Sequence, residues 1–182
     1  SDIEGMLNAM SIYESDNFLS VLPIHHAFEC TCGFLVPLSV GASIAYARGL
    51  ASKLILEDIK TNKTTVLLGV PLLFEKMHAG IIRAISKQPL TKRALFRVSF
   101  IICNMLSTVA NANAGKIIFQ GLREKAGLSS IRLFFAGGAP IPPEIARTFN
   151  LLGFMFRQGY GLSETAPVLT LNPADSYRDD SI

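Results

Sequence analysis

The sequence contains no tryptophan, only three cysteines and few charged residues. Charged side chains make up 17% of its 182 residues and hydrophobic ones 49%, and the mean hydropathy is +0.37. No apolar run reaches the roughly 18–20 residues that a transmembrane helix requires. The first residues, SDIEGML, show no basic segment before an apolar stretch, so they are not typical of a signal peptide. The length fits one substantial domain rather than two.

These scarcities exclude several classes of protein. A net charge of +3, scattered along the chain, gives no electrostatic reason to expect a nucleic-acid partner. Cys30, Cys32 and Cys103 form neither a C-x-x-C pair nor an even set, so free, buried thiols in a reducing compartment such as the cytoplasm are expected. His78 is too isolated to indicate a zinc site. The sequence also lacks a GxxxxGK[ST] phosphate loop, a complete dinucleotide fingerprint and a GxSxG elbow.

The high apolar content has two explanations. The chain is a piece of a larger protein whose other parts cover its apolar surface, or it lies against a membrane.

Five short apolar segments alternate with helical patterns. The segments are residues 18–23, 42–47, 64–71, 131–140 and 154–161. Residues 52–60 and 142–153 have helical periodicity, and the second helix has prolines at its start and Gly153 after its end. Continuous apolar strands separated by helices indicate an α/β fold. We expect a mostly parallel sheet of about five strands, covered by helices on both faces.

Residues 72–127 differ because they show helical periodicity without a strand. Within them, residues 92–111 are amphipathic. The polar side is Arg93, Arg97, Asn104, Thr108 and Asn111, and the apolar side is Leu95, Val98, Ile102, Met105 and Val109, widened by Phe96 and Phe100. The favoured interpretation is a helix whose apolar side packs on its own protein. The alternative is a helix lying in a membrane surface, since Lys92 adds to the basic end.

Ligands of open parallel sheets bind at the carboxyl ends of the strands. Four loops are predicted at that edge: residues 23–29, 69–71, 137–140 and 159–165. In one of them, Gly137 and Gly138 permit a close backbone approach and a positive φ, and Ala139 and Pro140 keep the loop small and stiff. Paired glycines after a strand are also typical of an ordinary turn.

The stretch GYGLSET has a second set of candidates. Tyr160, between Gly159 and Gly161, has a ring suited to stacking on a base, although a buried core tyrosine fits equally well. Ser163 offers a hydroxyl to a phosphate, and Glu164 offers a hard oxygen to Mg²⁺. The alternative for these two residues is a helix N-cap followed by an acidic first turn.

The loop PIHHAFE places polar side chains after the first strand. His25 and His26 are adjacent, so we expect only one of them to face a pocket. Phe28 and Glu29 complete this loop. Each feature has a purely structural explanation, but all four loops fall on the same predicted edge.

Three stretches in order, LPIHHAFE, LFFAGGAPIPPEIARTF and FRQGYGLSETAP, resemble the adenylate-forming superfamily. This group includes acyl-CoA synthetases, beetle luciferases and the adenylation domains of peptide synthetases. The helical, partly basic region before KIIFQGLREKAG is most similar to the long-chain fatty acid–CoA ligases.

The resemblance implies a two-step reaction that uses ATP, Mg²⁺ and coenzyme A. A carboxylate attacks the α-phosphate of ATP, and the CoA thiol then displaces AMP from the acyl-adenylate. His26, Ser163 and Glu164 would be catalytic, with Glu164 also the metal ligand, and Phe28, Gly137 and Gly159 would border the acyl chain. The residues implied for ATP and AMP are Gly137, Gly138, Ala139, Pro140, Gln158, Gly159, Tyr160 and Gly161. Arg157 and Gln158 match the residues that lead into the tyrosine loop.

The same resemblance implies that residues 1–182 are one α/β piece of a larger amino-terminal domain. A lysine-containing phosphate loop would lie upstream, and a ribose-binding aspartate and a mobile carboxy-terminal domain with a catalytic lysine would lie downstream. The isolated chain is then expected to be inactive, in the cytoplasm or at the inner face of a membrane, with apolar surface that another copy could cover. The alternatives are another carboxylic or amino acid adenylating enzyme, or a non-catalytic module that binds a membrane or a partner.

Overall fold

The structure, a computed structural model, describes residues 2–110, 114–165 and 167–172 around a central sheet. The strands are β1 (Asn17–Ser20), β2 (Ser43–Tyr46), β3 (Val66–Gly69), β4 (Leu133–Ala136), β5 (Met155–Tyr160) and β6 (Thr170–Leu171). They lie in the order β2-β1-β3-β4-β5-β6. The first five are parallel, and β6 pairs antiparallel with β5. The predicted mostly parallel α/β sheet is therefore confirmed.

Strands β2 to β5 lie within the segments predicted from the sequence, and β1 begins one residue before its segment; each strand is shorter than its segment. The sixth strand was not predicted. It has only two residues, Thr170 and Leu171, of which the first is exposed and the second half-buried. So short a strand leaves no apolar run in the sequence.

Eight α-helices and one π-helical segment are described. The helices are α1 (Asp2–Met10), α2 (Val36–Val40), α3 (Ser52–Thr61), α4 (Pro71–Ser86), α5 (Leu90–Ala110), α6 (Gly115–Ile118), α7 (Gln120–Ala126) and α8 (Pro143–Leu151). The π-helical segment, Glu29–Leu35, leads directly into α2. Prolines begin α4 and α8, where a missing backbone N–H costs no hydrogen bond.

Helices cover both faces of the sheet, as predicted. Successive residues of β4 point to opposite faces, because side chains alternate along a strand. Phe135 packs on the face covered by α1, the π-helical segment and α2. Phe134 packs on the other face, where α3, α4, α5 and α8 contribute to a larger core rich in phenylalanine. We call these the α1–α2 face and the α3–α8 face.

The helical region predicted for residues 72–127 corresponds to α4–α7, and its described residues contain no strand. The helix α5 packs on its own protein, as favoured, but only part of its predicted apolar side does so. Leu95, Val98, Ile102 and Met105 are 66%, 53%, 45% and 61% exposed. The helix packs instead through the stacked rings of Phe96 and Phe100, 5.7 Å apart, and through buried Cys103. Aromatic rings bury more area than the aliphatic side chains, so they determine which side faces the core.

The side chains of Thr108 and Val109, and the whole of Asn111, lie outside the described residues. Among the helices that the structure describes, none combines the length and the apolar character needed to cross a bilayer.

A buried ion pair joins the amino ends of three strands. The Arg132 guanidinium donates to both carboxylate oxygens of Asp16, which also accepts from the Thr65 hydroxyl at 2.7 Å and the Tyr13 backbone N–H at 2.9 Å. The Thr65 hydroxyl in turn accepts from the backbone N–H of Asn17 at 2.9 Å. Asp16 precedes β1, Thr65 precedes β3 and Arg132 precedes β4, so this cluster aligns the three strands at what we call the amino edge.

Candidate active site

The loop after β1 forms a turn that exposes two histidines. The backbone N–H of His26 donates to the Pro23 carbonyl at 3.0 Å, and the His26 carbonyl accepts from the Cys30 N–H at 2.9 Å. The rings of His25 and His26 lie 4.6 Å apart, and both residues are exposed. The two side chains therefore do not point in different directions as expected, because this turn keeps their rings together. That only one of them faces a pocket stays a prediction.

Phe28 links the loop after β1 to the glycine loop after β4. A Cβ atom on Gly137 would lie 2.8 Å from the Phe28 ring, closer than real side chains approach. The Phe28 and Phe135 rings pack at 5.4 Å, and the backbone N–H of Gly137 donates to the Gly69 carbonyl at 3.2 Å. The absence of a side chain at position 137 is thus what lets the aromatic ring lie over the end of β4.

The rest of the glycine loop is exposed at the same edge. Gly138 has a φ of +84°, as the sequence allowed, whereas Gly137 keeps a negative φ. Gly138, Ala139 and Pro140 are all exposed. A Cβ atom on Gly138 would meet only the Val70 side chain, at 3.8 Å. The positive φ and the open space above this loop fit a backbone that a flat ligand can approach.

The end of β5 presents Tyr160 to solvent. Tyr160 is 51% exposed, so the alternative of a buried core tyrosine is wrong. Its carbonyl accepts from the Leu169 N–H at 2.9 Å. Gln158 is buried and its carbonyl accepts from the Asn172 N–H at 3.0 Å, so the residues on either side of β6 fix this end of β5.

Gly159 and Arg157 lie on the α1–α2 side of β5. A Cβ atom on Gly159 would lie 2.7 Å from the Phe135 ring. Arg157 is buried, and its guanidinium donates to the Phe156 carbonyl at 2.8 Å. Gly159 therefore lies against the aromatic ring on which Phe28 also packs, which places two of the three predicted acyl-bordering positions, Phe28 and Gly159, around Phe135.

Ser163 and Glu164 lie in a short 3₁₀ turn, Ser163–Thr165, and both are exposed. The hydroxyl that caps this turn belongs to Thr165, which accepts from the Leu162 N–H at 3.0 Å. The alternative that Ser163 is a helix N-cap depends in part on residue 166, which lies outside the described residues. Within the described residues, neither the Ser163 hydroxyl nor the Glu164 carboxylate makes a hydrogen bond. Gly161 precedes this turn, and a Cβ atom on Gly161 would overlap the Pro167 carbonyl.

Glu29 differs from its neighbours because it is fully buried. Both carboxylate oxygens lack a hydrogen-bonding partner within normal distance, and a Cβ atom on Gly33 would lie 2.5 Å from one of them. Burial raises the pKa of the Glu29 carboxyl, and the nearby Ser20 hydroxyl offsets part of that rise. The sequence indicated a polar residue after β1 but not that it turns inward beneath the histidine loop.

The strand order places these loops side by side. The loops after β1, β3, β4 and β5 all leave the carboxyl edge of the sheet. With neighbouring strands about 4.8 Å apart, β1 and β5 are separated by about 14 Å. The described contacts join Phe28 to the glycine loop, but they do not join His26 to the turn that carries Glu164. Among the residues that the structure describes, no contact therefore joins the two ends of this edge.

The residues present are compatible with a nucleotide and a magnesium ion. The exposed Tyr160 ring can stack on a base, and the neighbouring glycine loop offers backbone without side chains for the base to approach. Glu164 is a single carboxylate, and Mg²⁺ is usually held by one or two carboxylates together with substrate phosphates. In the described ranges no three metal-binding side chains gather into one cluster, so the ion would depend on the phosphates for its other ligands.

The AMP-binding enzyme family model matches residues 2–182, and the chain belongs to this family. Among curated proteins, it is 34% identical to Long chain acyl-CoA synthetase 1 of Arabidopsis thaliana over 157 residues, which are 82% of this chain and 23% of that protein. It is 29% identical to Long chain acyl-CoA synthetase 2 of the same plant over 158 residues, 83% of this chain and 23% of that protein. The chain thus spans about a quarter of the length of these relatives.

Solved structures share the fold. The anthranilate CoA ligase AuaEII in complex with anthranoyl-AMP matches with a TM-score of 0.67 at 16% identity, covering 99% of this chain and 28% of that one. ATP-bound MatB from Rhodopseudomonas palustris matches with a TM-score of 0.64 at 20% identity, covering 97% and 27%. At these identities the match describes the fold alone.

Proposed function

We propose that this chain is part of an ATP-dependent fatty acid–CoA ligase. The observation that carries the proposal is the carboxyl edge, where Phe28 lies over side-chain-free Gly137 beside exposed Tyr160 and Glu164. The names of the similar curated proteins, long chain acyl-CoA synthetases, agree with it.

In this proposal each residue has a positioning or electrostatic role. A carboxylate oxygen attacks the α-phosphorus of ATP and pyrophosphate leaves; the CoA sulfur then attacks the acyl carbon and AMP leaves. Tyr160 and the glycine loop would hold adenine, and Ser163 would donate to a phosphate oxygen. His26 would orient the reacting carboxylate, with the acyl chain against Phe28. Bound Mg²⁺, held by Glu164, would offset the negative charge on the phosphates.

The chain would supply only part of this site. The family resemblance assigns the phosphate loop, the ribose-binding aspartate and the catalytic lysine to other parts of a longer protein. Without those groups, charge on the pyrophosphate and on the attacking carboxylate stays uncompensated. Losing even one such group typically costs about 10²–10³ in rate.

The experiment compares this chain with the longest form of the protein that its gene encodes. Each is incubated with ATP, Mg²⁺ and palmitate, and acyl-AMP and pyrophosphate are measured. The longer form is expected to produce both, and the chain of residues 1–182 neither. Pyrophosphate release by the isolated chain would contradict the assignment of a partial site, and inactivity of the longer form toward a panel of fatty, aryl and amino acids would contradict the ligase.

The exposed apolar side of α5 favours a second function, contact with a membrane surface. Leu95, Val98, Ile102 and Met105 face solvent next to Lys92 and exposed Arg97, a combination suited to an anionic lipid interface. Flotation with vesicles that contain anionic lipid tests it. Binding should be lost in a variant with Leu95→Ser and Met105→Ser, whereas a concentration-dependent dimer that the same changes dissociate would indicate a second copy as the partner.

A further inference from the structure

A cavity of about 560 Å³ lies between α3, α4, α5 and α7. Its apolar wall includes Ile55, Leu56, Met77, Ile81, Phe96 and Leu122. None of these residues belongs to the candidate active site. The volume falls within the roughly 300–1,000 Å³ of typical small-molecule sites.

The charged residues around this cavity all have one sign. Lys60, Lys76, Lys92 and Lys125 line it, all four are exposed, and no acidic residue among those described does so. Within the described ranges none of these ammonium groups forms an ion pair. An apolar wall with unpaired cationic groups around it complements a molecule that has an apolar chain and an anionic head.

The cavity is separate from the candidate active site. It belongs to the α3–α8 face, whereas Phe28, Phe135 and Gly137 pack on the α1–α2 face. The helices α3 and α7 both end where the chain returns to the amino ends of β3 and β4. Lys60 and Lys125 therefore lie toward the edge opposite Tyr160 and Glu164, and the Lys60 side chain passes directly over Gly127.

We propose that this cavity binds an amphiphile with one alkyl chain and an anionic head, a fatty carboxylate or an alkyl phosphate. The chain lies among α3, α4, α5 and α7, and the head lies near Lys60 and Lys125. This site is additional to the proposed ligase site and requires neither ATP nor Glu164.

Glycine positions allow the cavity to be filled selectively. A Cβ atom on Gly80 meets nothing within 4 Å, and Gly80 lines the cavity on the same side of α4 as Met77. The substitution Gly80→Phe therefore places a ring in the cavity without a backbone clash. Gly5 in α1 is equally free of neighbours and lies on the other face, so Gly5→Phe is the matched control.

The test is photo-crosslinking of the longest form of the protein with a diazirine-bearing fatty acid, without ATP, followed by peptide mapping. Label is expected in α4 and α7, reduced about tenfold by Gly80→Phe because apolar contact with the chain is lost, and unchanged by Gly5→Phe. Equal labelling of α4 and α7 in both variants would overturn the proposal. Label in these helices that appears only when vesicles are added would assign the surface to a membrane instead and would also overturn it.

Competition by amphiphiles with different head groups identifies the head group that the cavity binds. Tetradecanoate, tetradecyl phosphate or both should displace the label, and which one does so tells the source of the anion. Tetradecanol competing equally well would overturn the anionic head. Lys60→Glu with Lys125→Glu should weaken binding by about tenfold, and Lys116→Glu, at an exposed lysine that does not line the cavity, should not. Labelling that persists in Glu164→Ala separates this site from the ligase site, whichever way the ligase assay turns out.

Discussion

The two edges of the parallel sheet differ in how their polar side chains are partnered. At the amino edge the Asp16 carboxylate, 3% exposed, accepts from Arg132, Thr65 and the Tyr13 backbone. At the carboxyl edge the side chains of Tyr160, Ser163 and Glu164 are exposed and make no hydrogen bond within the described residues. A buried charge needs internal partners, whereas an exposed polar group is satisfied by water and stays available to a ligand.

This difference separates stability from function along each strand. The amino edge aligns β1, β3 and β4 through side chains that are distant in sequence. The carboxyl edge relies on missing side chains, at Gly137 and Gly159, to bring rings and backbone together. Substitutions of the polar side chains should therefore have opposite signatures at the two edges, with unfolding affected at the amino edge and ligand-dependent activity at the carboxyl edge.

The largest effect on stability is expected from Arg132→Ala. It leaves the buried Asp16 carboxylate without its cationic partner, so the free energy of unfolding should fall by about 3 kcal/mol, near the lower end for a broken buried pair because Arg132 is itself 30% exposed. Urea unfolding measures this change. The control is Arg97→Ala, an exposed arginine expected to cost under about 0.5 kcal/mol. Equal losses in the two variants would mean that the amino-edge cluster does not stabilise the sheet.

A smaller loss is expected from Gly137→Val at the other edge. The new side chain would collide with the Phe28 ring, and overpacking of this kind typically costs about 1–3 kcal/mol. Gly5→Val, where a Cβ atom meets nothing within 4 Å, is the control for a glycine-to-valine replacement without a collision. Adding Phe28→Ala should recover part of the stability of Gly137→Val. If the double variant loses more free energy of unfolding than the two single variants together, the Phe28–Gly137 collision is not the cause of the loss in Gly137→Val.

A fall in pH should lower the free energy of unfolding through the Asp16 carboxyl at the amino edge, with a smaller effect than the two substitutions above. Burial alone would raise the pKa of the Asp16 carboxyl, but hydrogen bonds from Arg132, Thr65 and the Tyr13 N–H outweigh it and hold this pKa below its usual 3.8. A carboxyl with a lowered folded-state pKa stabilises the protein fully above its unfolded-state pKa, and that contribution is lost as pH falls through the folded-state pKa.

Thermal unfolding measured from about pH 6 downward follows this dependence, because the loss begins near the unfolded-state pKa and continues as the pH falls below it. The Asp16→Asn variant should show a shallower decline than the unchanged protein. Glu29, whose pKa burial raises, titrates in both proteins and cancels in the comparison. Parallel curves would show that Asp16 does not carry the acid sensitivity.

The sequence predicted the carboxyl edge better than the amino edge, for a physical reason. Buried parallel strands such as Leu133–Ala136 are continuous apolar runs, and the loops that follow them are next to them in the chain. The pair Asp16 and Arg132 is 116 residues apart and meets only through the register of β1, β3 and β4. No local pattern reports such a pairing.

Local sequence patterns also failed to predict which side chains pack in the core. Both sides of α5 carry apolar residues, so periodicity did not decide that Phe96 and Phe100, rather than Leu95 and Met105, face the core. Glu29 is buried against the usual preference of its type, and nothing in LPIHHAFE signals this. The roles assigned to His26, Ser163 and Glu164 stay predictions that rest on position and resemblance.

The smallest effect on stability, with the largest on activity, is expected from Glu164→Ala. Its carboxylate is exposed and makes no hydrogen bond within the described residues, so the free energy of unfolding should change by less than about 0.5 kcal/mol. Acyl-AMP formation by the longest form of the protein should fall by about a hundredfold, because a charge that holds the metal at the phosphates is removed.

The variant Glu164→Gln, which keeps the shape of the side chain without its charge, should lose activity in the same way and should require more Mg²⁺ for half-maximal rate. Glu14→Ala, an exposed carboxylate at the amino edge, should leave the rate unchanged. If Glu164→Ala keeps full activity with an unaltered Mg²⁺ requirement, Glu164 is not the metal ligand; if it unfolds the protein, the carboxyl edge contributes to stability as the amino edge does.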